Sequence, residues 1–366
     1  MRLAAVAALL VLMSAAAGCT TSRDASVPAT PTAATADAAM PTQFYASIAT
    51  KHGEVYAVST ATGRPLRQVA PGRRDRFTIA GVSSTGPDGL LVTYSRGPDC
   101  TNGTAGCGPR PDTCGAEIVR VDTRTLATDV VWRVGPDTLL RAAALSPDGT
   151  MIAASEAPCF PSYLNDHLAV RRLRDGTVWR IGAGIARCHV LGGPHWLSDS
   201  KRLVTTSAPP GRGAPYPGDG VCAEWGGTSL VVVDATHEAP QINGARVASA
   251  RSCSWQAVAA SETRIVSVEA CGSGRDRLDG DSNLIELNDQ LQVIRRARIG
   301  ECTDGQSIAA DDASGDLVSA YLFCNPPSPG ENPADPVAVL DYSRAGELHP
   351  LAGHGGGYLE WDDLAW

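Results

Sequence analysis

A unit of four short strands recurs along the chain from about residue 43 to the C-terminus. In the clearest copy, the first strand runs from Leu139 to a Ser146-Pro147-Asp148-Gly149 turn, and Pro and Gly in these places favour a tight turn. The rest of this copy consists of a second strand at Met151–Ser155, a third at His167–Leu173, an Asp175-Gly176 turn and a fourth strand at Val178–Ile181. No apolar stripe with helical period interrupts the pattern, so it predicts an all-β fold.

The other copies align with this one through their third strands, at intervals of about 50 to 60 residues. These strands are predicted at Val55–Val58, Ile118–Val121, Leu230–Val233, Leu284–Leu287 and Val337–Leu340. Trp196, Trp255 and Trp361 fall on first strands, where a large ring can pack between neighbouring repeats.

The repeats predict a six-bladed β-propeller of four-stranded antiparallel blades. A last strand at Tyr358–Trp366 has no partners after it, whereas the strands at Gln43–Ala49 and Val55–Ser59 lack a first strand. Joining the C-terminal strand to the N-terminal blade would close the ring and leave no exposed sheet edge. A β-sandwich with long loops is the alternative, but it does not explain six registered copies.

The Ser-Pro-Asp-Gly turn, the Ile152-Ala153 strand and the short strand before Asp175-Gly176 resemble the TolB-like, WD40-like propeller repeat, over residues 139–182. The resemblance implies a propeller with protein contacts in the bacterial envelope. Because the chain has no room for the separate N-terminal domain of TolB, we do not carry over that protein's specific role or its partner. Arg outnumbers Lys 29 to 2, which indicates the codon bias of a GC-rich bacterium.

The N-terminus predicts export and a lipid anchor. Residues 1–18 have a positive Arg2 and an apolar run from Leu3 to Met13 that is too short to span a membrane, as in a signal peptide. The small residues before Cys19 resemble the lipobox of bacterial lipoproteins, although Ala16 stands where Leu is most common. We therefore expect Cys19 to be acylated, residues 19–41 to form a flexible tether, and residues 42–366 to form the propeller on the extracytoplasmic side of the cell membrane.

Ten cysteines remain after Cys19, an even number that fits disulfides in an exported protein. Each falls in a loop between second and third strands or in the stretch before a first strand, and both connections lie on one face of a propeller. Similar intervals, of 29, 31 and 31 residues, predict the disulfides Cys159–Cys188, Cys222–Cys253 and Cys271–Cys302. The pairing among Cys100, Cys107, Cys114 and Cys324 is left open.

Several kinds of chemistry lack their sequence signals. The net charge of −8 argues against a nucleic-acid partner. The sequence has no Gly-x-Ser-x-Gly elbow, no zincin motif beyond His237-Glu238, and no Cys-x-x-Cys pair. An acidic cluster could bind calcium but is better interpreted as a solvated loop, so we predict no cofactor; its members are Asp276, Asp279, Asp281, Asn283 and Glu286.

The stretches before the first strands supply candidate ligand-binding residues, because they approach the central channel on the cysteine-rich face. These candidates are Arg187, His189, Arg251, Glu301, Asp304 and His354. The sequence thus favours a monomeric, non-enzymatic binding or scaffolding module for an envelope protein or a small molecule. The alternative is a propeller enzyme of the lactonase or sugar dehydrogenase type, with a metal or quinone in the channel.

Overall fold

Short apolar runs separated by Gly, Pro, Asp and Ser form 24 strands in the part of the chain that the computed structural model describes. The described residues are 42–48, 54–59, 64–72, 77–86, 88–96, 114–158, 166–186, 193–207, 229–238, 246–248, 253–260, 264–271, 282–300, 305–310, 317–321, 339–344, 347–350 and 361–365. They contain no helix, and hence none that is long and apolar enough to cross a membrane. The strands belong to one compact unit, Pro41–Trp366.

The strands of the described residues pair in six antiparallel sheets of four strands each. In pairing order, sheet 1 contains β24 (Trp361–Ala365), β1 (Gln43–Ile48), β2 (Glu54–Ser59) and β3 (Pro65–Ala70); sheet 2 contains β4 (Thr78–Ser84), β5 (Gly89–Arg96), β6 (Gly115–Asp122) and β7 (Thr128–Val134). Sheet 3 contains β8 (Thr138–Leu145), β9 (Met151–Pro158), β10 (Asp166–Arg172) and β11 (Val178–Ala186); sheet 4 contains β12 (His195–Trp196), β13 (Arg202–Ser207), β14 (Ser229–Asp234) and β15 (Arg246–Ala248). Sheet 5 contains β16 (Cys253–Ala260), β17 (Ile265–Cys271), β18 (Ser282–Leu287) and β19 (Val293–Gly300); sheet 6 contains β20 (Gly305–Ala310), β21 (Leu317–Tyr321), β22 (Val339–Arg344) and β23 (Glu347–Pro350).

These strands confirm the prediction of an all-β fold built from four-stranded antiparallel units. In sheet 3 all four predicted strands are present, and the Ser146–Gly149 turn closes with a bond from Gly149 N to Ser146 O of 2.8 Å. The predicted third strand at Val337–Leu340 instead begins at Val339 and continues to Arg344, and residues 337–338 lie outside the described residues. At the C-terminus, β24 pairs with β1, with Tyr45 opposite Ala365.

The core consists of apolar layers between successive sheets. Separate clusters of buried side chains join sheets 1 and 2, sheets 2 and 3, sheets 3 and 4, and sheets 4 and 5. Two of the three predicted tryptophans lie in these layers, and Trp196 Nε1 of sheet 4 also donates to the carbonyl of Ala144 in sheet 3, at 3.0 Å. The prediction that Trp196 and Trp255 pack between repeats is confirmed. The side chain of Trp361 lies outside the described part.

Sheets 2 and 3 approach each other so closely that one position requires glycine. A Cβ atom on Gly81 of β4 would lie 2.6 Å from Ala142 Cα and 2.8 Å from Ala142 N, both backbone atoms of β8. Ala142 itself has a positive φ of 22°, at a bulge in the pairing of β8 with β9. Backbone atoms held by a sheet cannot move aside as a flexible side chain can.

We therefore expect Gly81→Ala to destabilise the protein by about 1–3 kcal/mol through overpacking. The control is Gly135→Ala, because a Cβ atom at Gly135 would meet no atom within 4 Å. Denaturant unfolding of both variants measures the difference. Equal midpoints for Gly81→Ala and the wild type would contradict the close approach of β4 and β8.

Candidate functional site

The antiparallel order gives every sheet two unlike edges. The connections from second to third strand and from fourth strand to the next sheet leave from the same ends of the strands. We call this side of the sheets, where those strand ends lie, the long-loop edge. These connections include residues 97–114, 208–228 and 322–338. The opposite edge, the short-turn edge, carries turns such as 123–127 and 173–177. Since long loops on a rigid scaffold carry function more often than tight turns, the long-loop edge is the candidate site.

The short-turn edge is held together by its own hydrogen bonds. In sheets 2, 3 and 4 the turn between third and fourth strands donates to the turn between first and second strands. These bonds are Thr123 N to Asp88 O (2.9 Å), Leu173 N to Thr150 O (2.9 Å) and Ala235 N to Lys201 O (2.7 Å). The backbone groups of these turns therefore have partners within the same edge.

Aspartates of the short-turn edge are stabilised in their charged form. The backbone N–H groups of Thr125 and Arg124 donate to Asp122 at 2.7 and 3.0 Å, and the bond from Thr125 is the main cause that lowers the pKa of Asp122. In the same way the backbone N–H of Thr177 donates to Asp175 at 3.0 Å and lowers its pKa well below the ordinary value, with Arg172 adding a smaller effect.

We expect these aspartates to make the protein less stable in acid. Because their folded pKa lies below the unfolded value, the stabilisation is present above about pH 4 and is lost as the pH falls through the folded pKa. Between pH 5 and pH 2.5, the melting temperature of the double variant Asp122→Asn, Asp175→Asn should therefore fall by less than that of the wild type. Thermal unfolding at both pH values tests this, and equal losses would refute it.

The second strands change from apolar to polar as they approach the long-loop edge. In β5, β9 and β13 the first buried residues along the strand are apolar, and buried hydroxyl residues begin in the half nearer the long loop, where they alternate with Tyr94 in β5 and lie beside Ala157 in β9. Examples are Leu91-Val92 before Thr93, Ala153-Ala154 before Ser155, and Leu203-Val204 before Thr205. Within the described part of the structure, Thr93 Oγ1, Ser155 Oγ and Thr205 Oγ1 are buried without a hydrogen-bond partner. Buried hydroxyls require partners, so the long-loop half of these strands is a place where water or a bound molecule would be retained.

Buried glutamates continue this polar region in sheets 3 and 5. The carboxylate of Glu156 on β9 accepts from Arg180 Nε and Nη2 on β11 at 2.9 and 2.7 Å. The carboxylate of Glu269 on β17 accepts from Arg296 Nε and Nη2 on β19 at 2.7 and 3.0 Å. In both sheets the arginine reaches across the third strand, and its position relative to the glutamate is the same in the two sheets. Sheet 2 differs, because Glu117 pairs at 3.2 Å with Arg133, which lies directly opposite it on the neighbouring strand.

Glu269 has the most complete set of partners. Its side chain is 3% exposed, and it also accepts from Trp255 Nε1 at 3.0 Å and from Asn283 Nδ2 at 3.2 Å. The bond to Glu269 raises the pKa of the Arg296 guanidinium, so this side chain stays protonated. A carboxylate with four donors is an ordered structural acceptor rather than a group available as a general base.

The cysteines whose backbone the structure describes lie at the long-loop edge. Cys114 directly precedes β6 and is disulfide-bonded. Cys253 is the first residue of β16, and Cys271 is the last residue of β17. The remaining cysteines lie outside the described residues, namely Cys19, Cys100, Cys107, Cys159, Cys188, Cys222, Cys302 and Cys324.

All six candidate ligand-binding residues lie outside the described residues, so their convergence stays a prediction. They are Arg187, His189, Arg251, Glu301, Asp304 and His354.

The acidic cluster considered for calcium is partly described. Asn283 donates to Glu269, and Glu286 accepts from Arg264 and Arg295, whereas Asp276, Asp279 and Asp281 lie outside the described residues. Among the described residues, no three His, Cys, Asp or Glu side chains form a group that could hold a metal ion. Glu286 is therefore engaged by two guanidinium groups.

The sequence reasoning missed the buried glutamates, although a signal was present. Each is the single charged residue in an apolar second strand, in Ala154-Ser155-Glu156-Ala157 and Ser267-Val268-Glu269-Ala270. An isolated acid in such a run must find a cationic partner, and an arginine on the fourth strand supplies it.

No protein-family profile matches the sequence, and no curated protein is significantly similar to it. Among solved structures the chain is similar to an oligogalacturonate lyase in complex with manganese, with a TM-score of 0.51, 13% identity, and coverage of 84% of this chain and 72% of that one. It is also similar to the β-propeller domain of the Trilobed protease from Pyrococcus furiosus, which has an open velcro topology (TM-score 0.42, 13% identity, coverage 75% and 71%). A third similar structure is the tricorn protease (TM-score 0.45, 12% identity, coverage 89% and 36%). At such low identity the likeness to the lyase concerns the fold alone, and the chain has a β-propeller fold.

Proposed function

We propose that this protein is a lipid-anchored, extracytoplasmic β-propeller that acts as a binding or scaffolding module through its long-loop edge. The observation that carries the proposal is the polarity of the second strands, whose buried hydroxyls and glutamates are placed toward this one edge. Burial of polar groups costs free energy, and a binding surface is a common reason for accepting that cost.

The proposed architecture has six blades, with a ring closed by the C-terminal strand. Support comes from the six sheets of one repeated order in the described residues, and from the pairing of β24 with β1. Closure of this kind would protect the edge of the N-terminal sheet from pairing with other chains.

The proposed location is the outer side of a bacterial cell membrane. Residues 1–18 would be removed as a signal peptide, Cys19 would carry the acyl chains, and residues 19–41 would link the lipid to the propeller at 42–366. Disulfides among the ten other cysteines would hold the connections of the long-loop edge, which reduces the entropy lost when a partner binds.

The proposed partner is an envelope protein or a small molecule, bound by a monomer without a nucleic acid or a cofactor. Arg187, His189, Arg251, Glu301, Asp304 and His354 are the proposed contact residues. Their charges would meet at the mouth of the central channel, next to the polar ends of the second strands.

A thermal-shift screen of the full-length protein in detergent tests the proposal. The panel contains divalent metals, sugars, quinones and extracts of envelope proteins separated by size. A ligand at 100 times its dissociation constant raises the stability by about 2.7 kcal/mol, which is readily measured. A binding partner whose shift disappears in Arg251→Ala, His189→Ala would support the proposed site, whereas an unchanged shift in that variant would overturn it. A shift with calcium or a quinone, accompanied by turnover of a lactone or sugar, would overturn the non-enzymatic role in favour of a propeller enzyme.

A further inference from the structure

The register of sheet 5 brings two cysteines together. In the antiparallel pair of β16 and β17, Cys253 lies directly opposite Cys271. The intervals along the sequence instead assign these residues to different disulfides, with Cys222 and Cys302. The two arrangements are mutually exclusive, because each cysteine can form only one disulfide.

A side-chain contact next to the two cysteines supports this register. Trp255 and Glu269 are the opposed pair two residues farther along the same strands, and Trp255 Nε1 donates to Glu269 Oε1 at 3.0 Å. Since successive residues of a strand alternate between faces, the Cys253–Cys271 pair shares its face of the sheet with Trp255 and Glu269. The two strands are thus held in this alignment by a buried bond close to the cysteines.

We propose that Cys253 and Cys271 form a disulfide across β16 and β17. Opposed residues of antiparallel strands have Cα atoms about 4.5 or 5.5 Å apart, and both spacings fall within the range of about 4.4–6.8 Å that disulfides use. No movement of the backbone is required. This pairing excludes Cys222–Cys253 and Cys271–Cys302, so Cys222 and Cys302 would have other partners.

The bond forms by thiol–disulfide exchange and rests on the export proposed above, since cytoplasmic thiols stay reduced. The oxidant is a protein disulfide of an exported thiol oxidase. One cysteine thiolate attacks this disulfide and forms a mixed disulfide, and the second thiolate then displaces the oxidant. Two thiols lose two electrons and two protons, and the oxidant leaves as a dithiol.

The crosslink would hold together the ends of β16 and β17 at the long-loop edge, where two connections of sheet 5 begin or end. Residue 272, the first of the connection to β18, directly follows Cys271, and Cys253 begins β16 after the connection from sheet 4. The disulfide would also keep Glu269 aligned with its partners on β16 and β19.

Trypsin distinguishes the alternatives, because Cys253 and Cys271 fall in the separate peptides 252–264 and 265–275, and Cys222 falls in 213–246. The full-length protein, exported by its own signal, is alkylated without reduction, digested and analysed by mass spectrometry. We expect a crosslinked species of peptides 252–264 and 265–275. A crosslink between 252–264 and 213–246, or an alkylated Cys253 in protein whose other cysteines are oxidised, would overturn the proposal.

A variant pair and an in vitro arm keep the outcome interpretable. In Cys253→Ser, Cys271 should become alkylated while Cys222 stays protected; in Cys222→Ser, both Cys253 and Cys271 should stay protected. If the protein is not exported, the purified full-length chain is oxidised with oxidised glutathione and mapped in the same way. Failure of export would then be seen as reduced cysteines in cells, separately from failure of the pairing in vitro.

Discussion

Arg296→Met is expected to destabilise the protein by about 2–3 kcal/mol, because it leaves the buried carboxylate of Glu269 without its cationic partner. Half of the Arg296 side chain is exposed, so water can replace part of the lost interaction, and the value lies below that for a fully buried pair. Trp255 and Asn283 would still donate to the carboxylate, but neither neutralises its charge. Urea unfolding followed by tryptophan fluorescence measures the change.

Two further variants show whether the pairing is the cause. Arg174→Met removes an arginine whose ion pair with Asp175 is exposed, and it should change the stability by less than about 0.5 kcal/mol. The double variant Glu269→Leu, Arg296→Met removes both charges and should lose less stability than Arg296→Met alone. If Arg174→Met and Arg296→Met cost the same, Glu269 does not depend on Arg296.

Cys19→Ser is expected to move the protein from the membrane to the soluble extracytoplasmic fraction and to abolish acylation. Each buried methylene of an acyl chain contributes about 0.8 kcal/mol, so two or three chains hold a protein firmly, whereas no basic patch is expected to hold a chain of net charge −8 on anionic lipid. Growth with an alkyne analogue of palmitate, followed by fractionation and fluorescent labelling, measures both effects.

Thr20→Ser is the matched control for this variant, because it alters the next residue and keeps the thiol. It should be labelled and sediment with membranes as the wild type does. Wild-type protein without label would refute acylation at Cys19, and membrane retention of Cys19→Ser would show that another part of the protein supplies the anchor.

The strands could be predicted because their signals are local. The Ser146–Gly149 turn and the apolar runs of sheet 3 occupy contiguous residues, and strands formed where these signals predicted them. The inter-sheet role of Trp196 and Trp255 was also predictable, since a large ring on a first strand has only a neighbouring sheet to pack against. The candidate ligand-binding residues had no comparable local signal beyond their position in the repeat.

The buried ion pairs and the cysteine register depended on distant parts of the chain. Glu156 and Arg180 are 24 residues apart, Glu269 and Arg296 are 27 apart, and each pair meets only across an intervening third strand. A shift of the register by one residue would move every side chain of a strand to the opposite face, and no short segment specifies that alignment. The same register sets Cys253 opposite Cys271, where equal intervals along the sequence had assigned each to another partner.

The amino-acid sequence alone was thus sufficient for the all-β repeat and its turns, because turn chemistry and alternation act over a few residues. The assembled sheets were needed to find which residue faces which: the buried glutamates with their arginines, the polar ends of the second strands and the opposed cysteines. Those partners are chosen by long-range strand pairing and by the free-energy cost of leaving a buried charge or hydroxyl without a partner, and both arise only once the chain is folded.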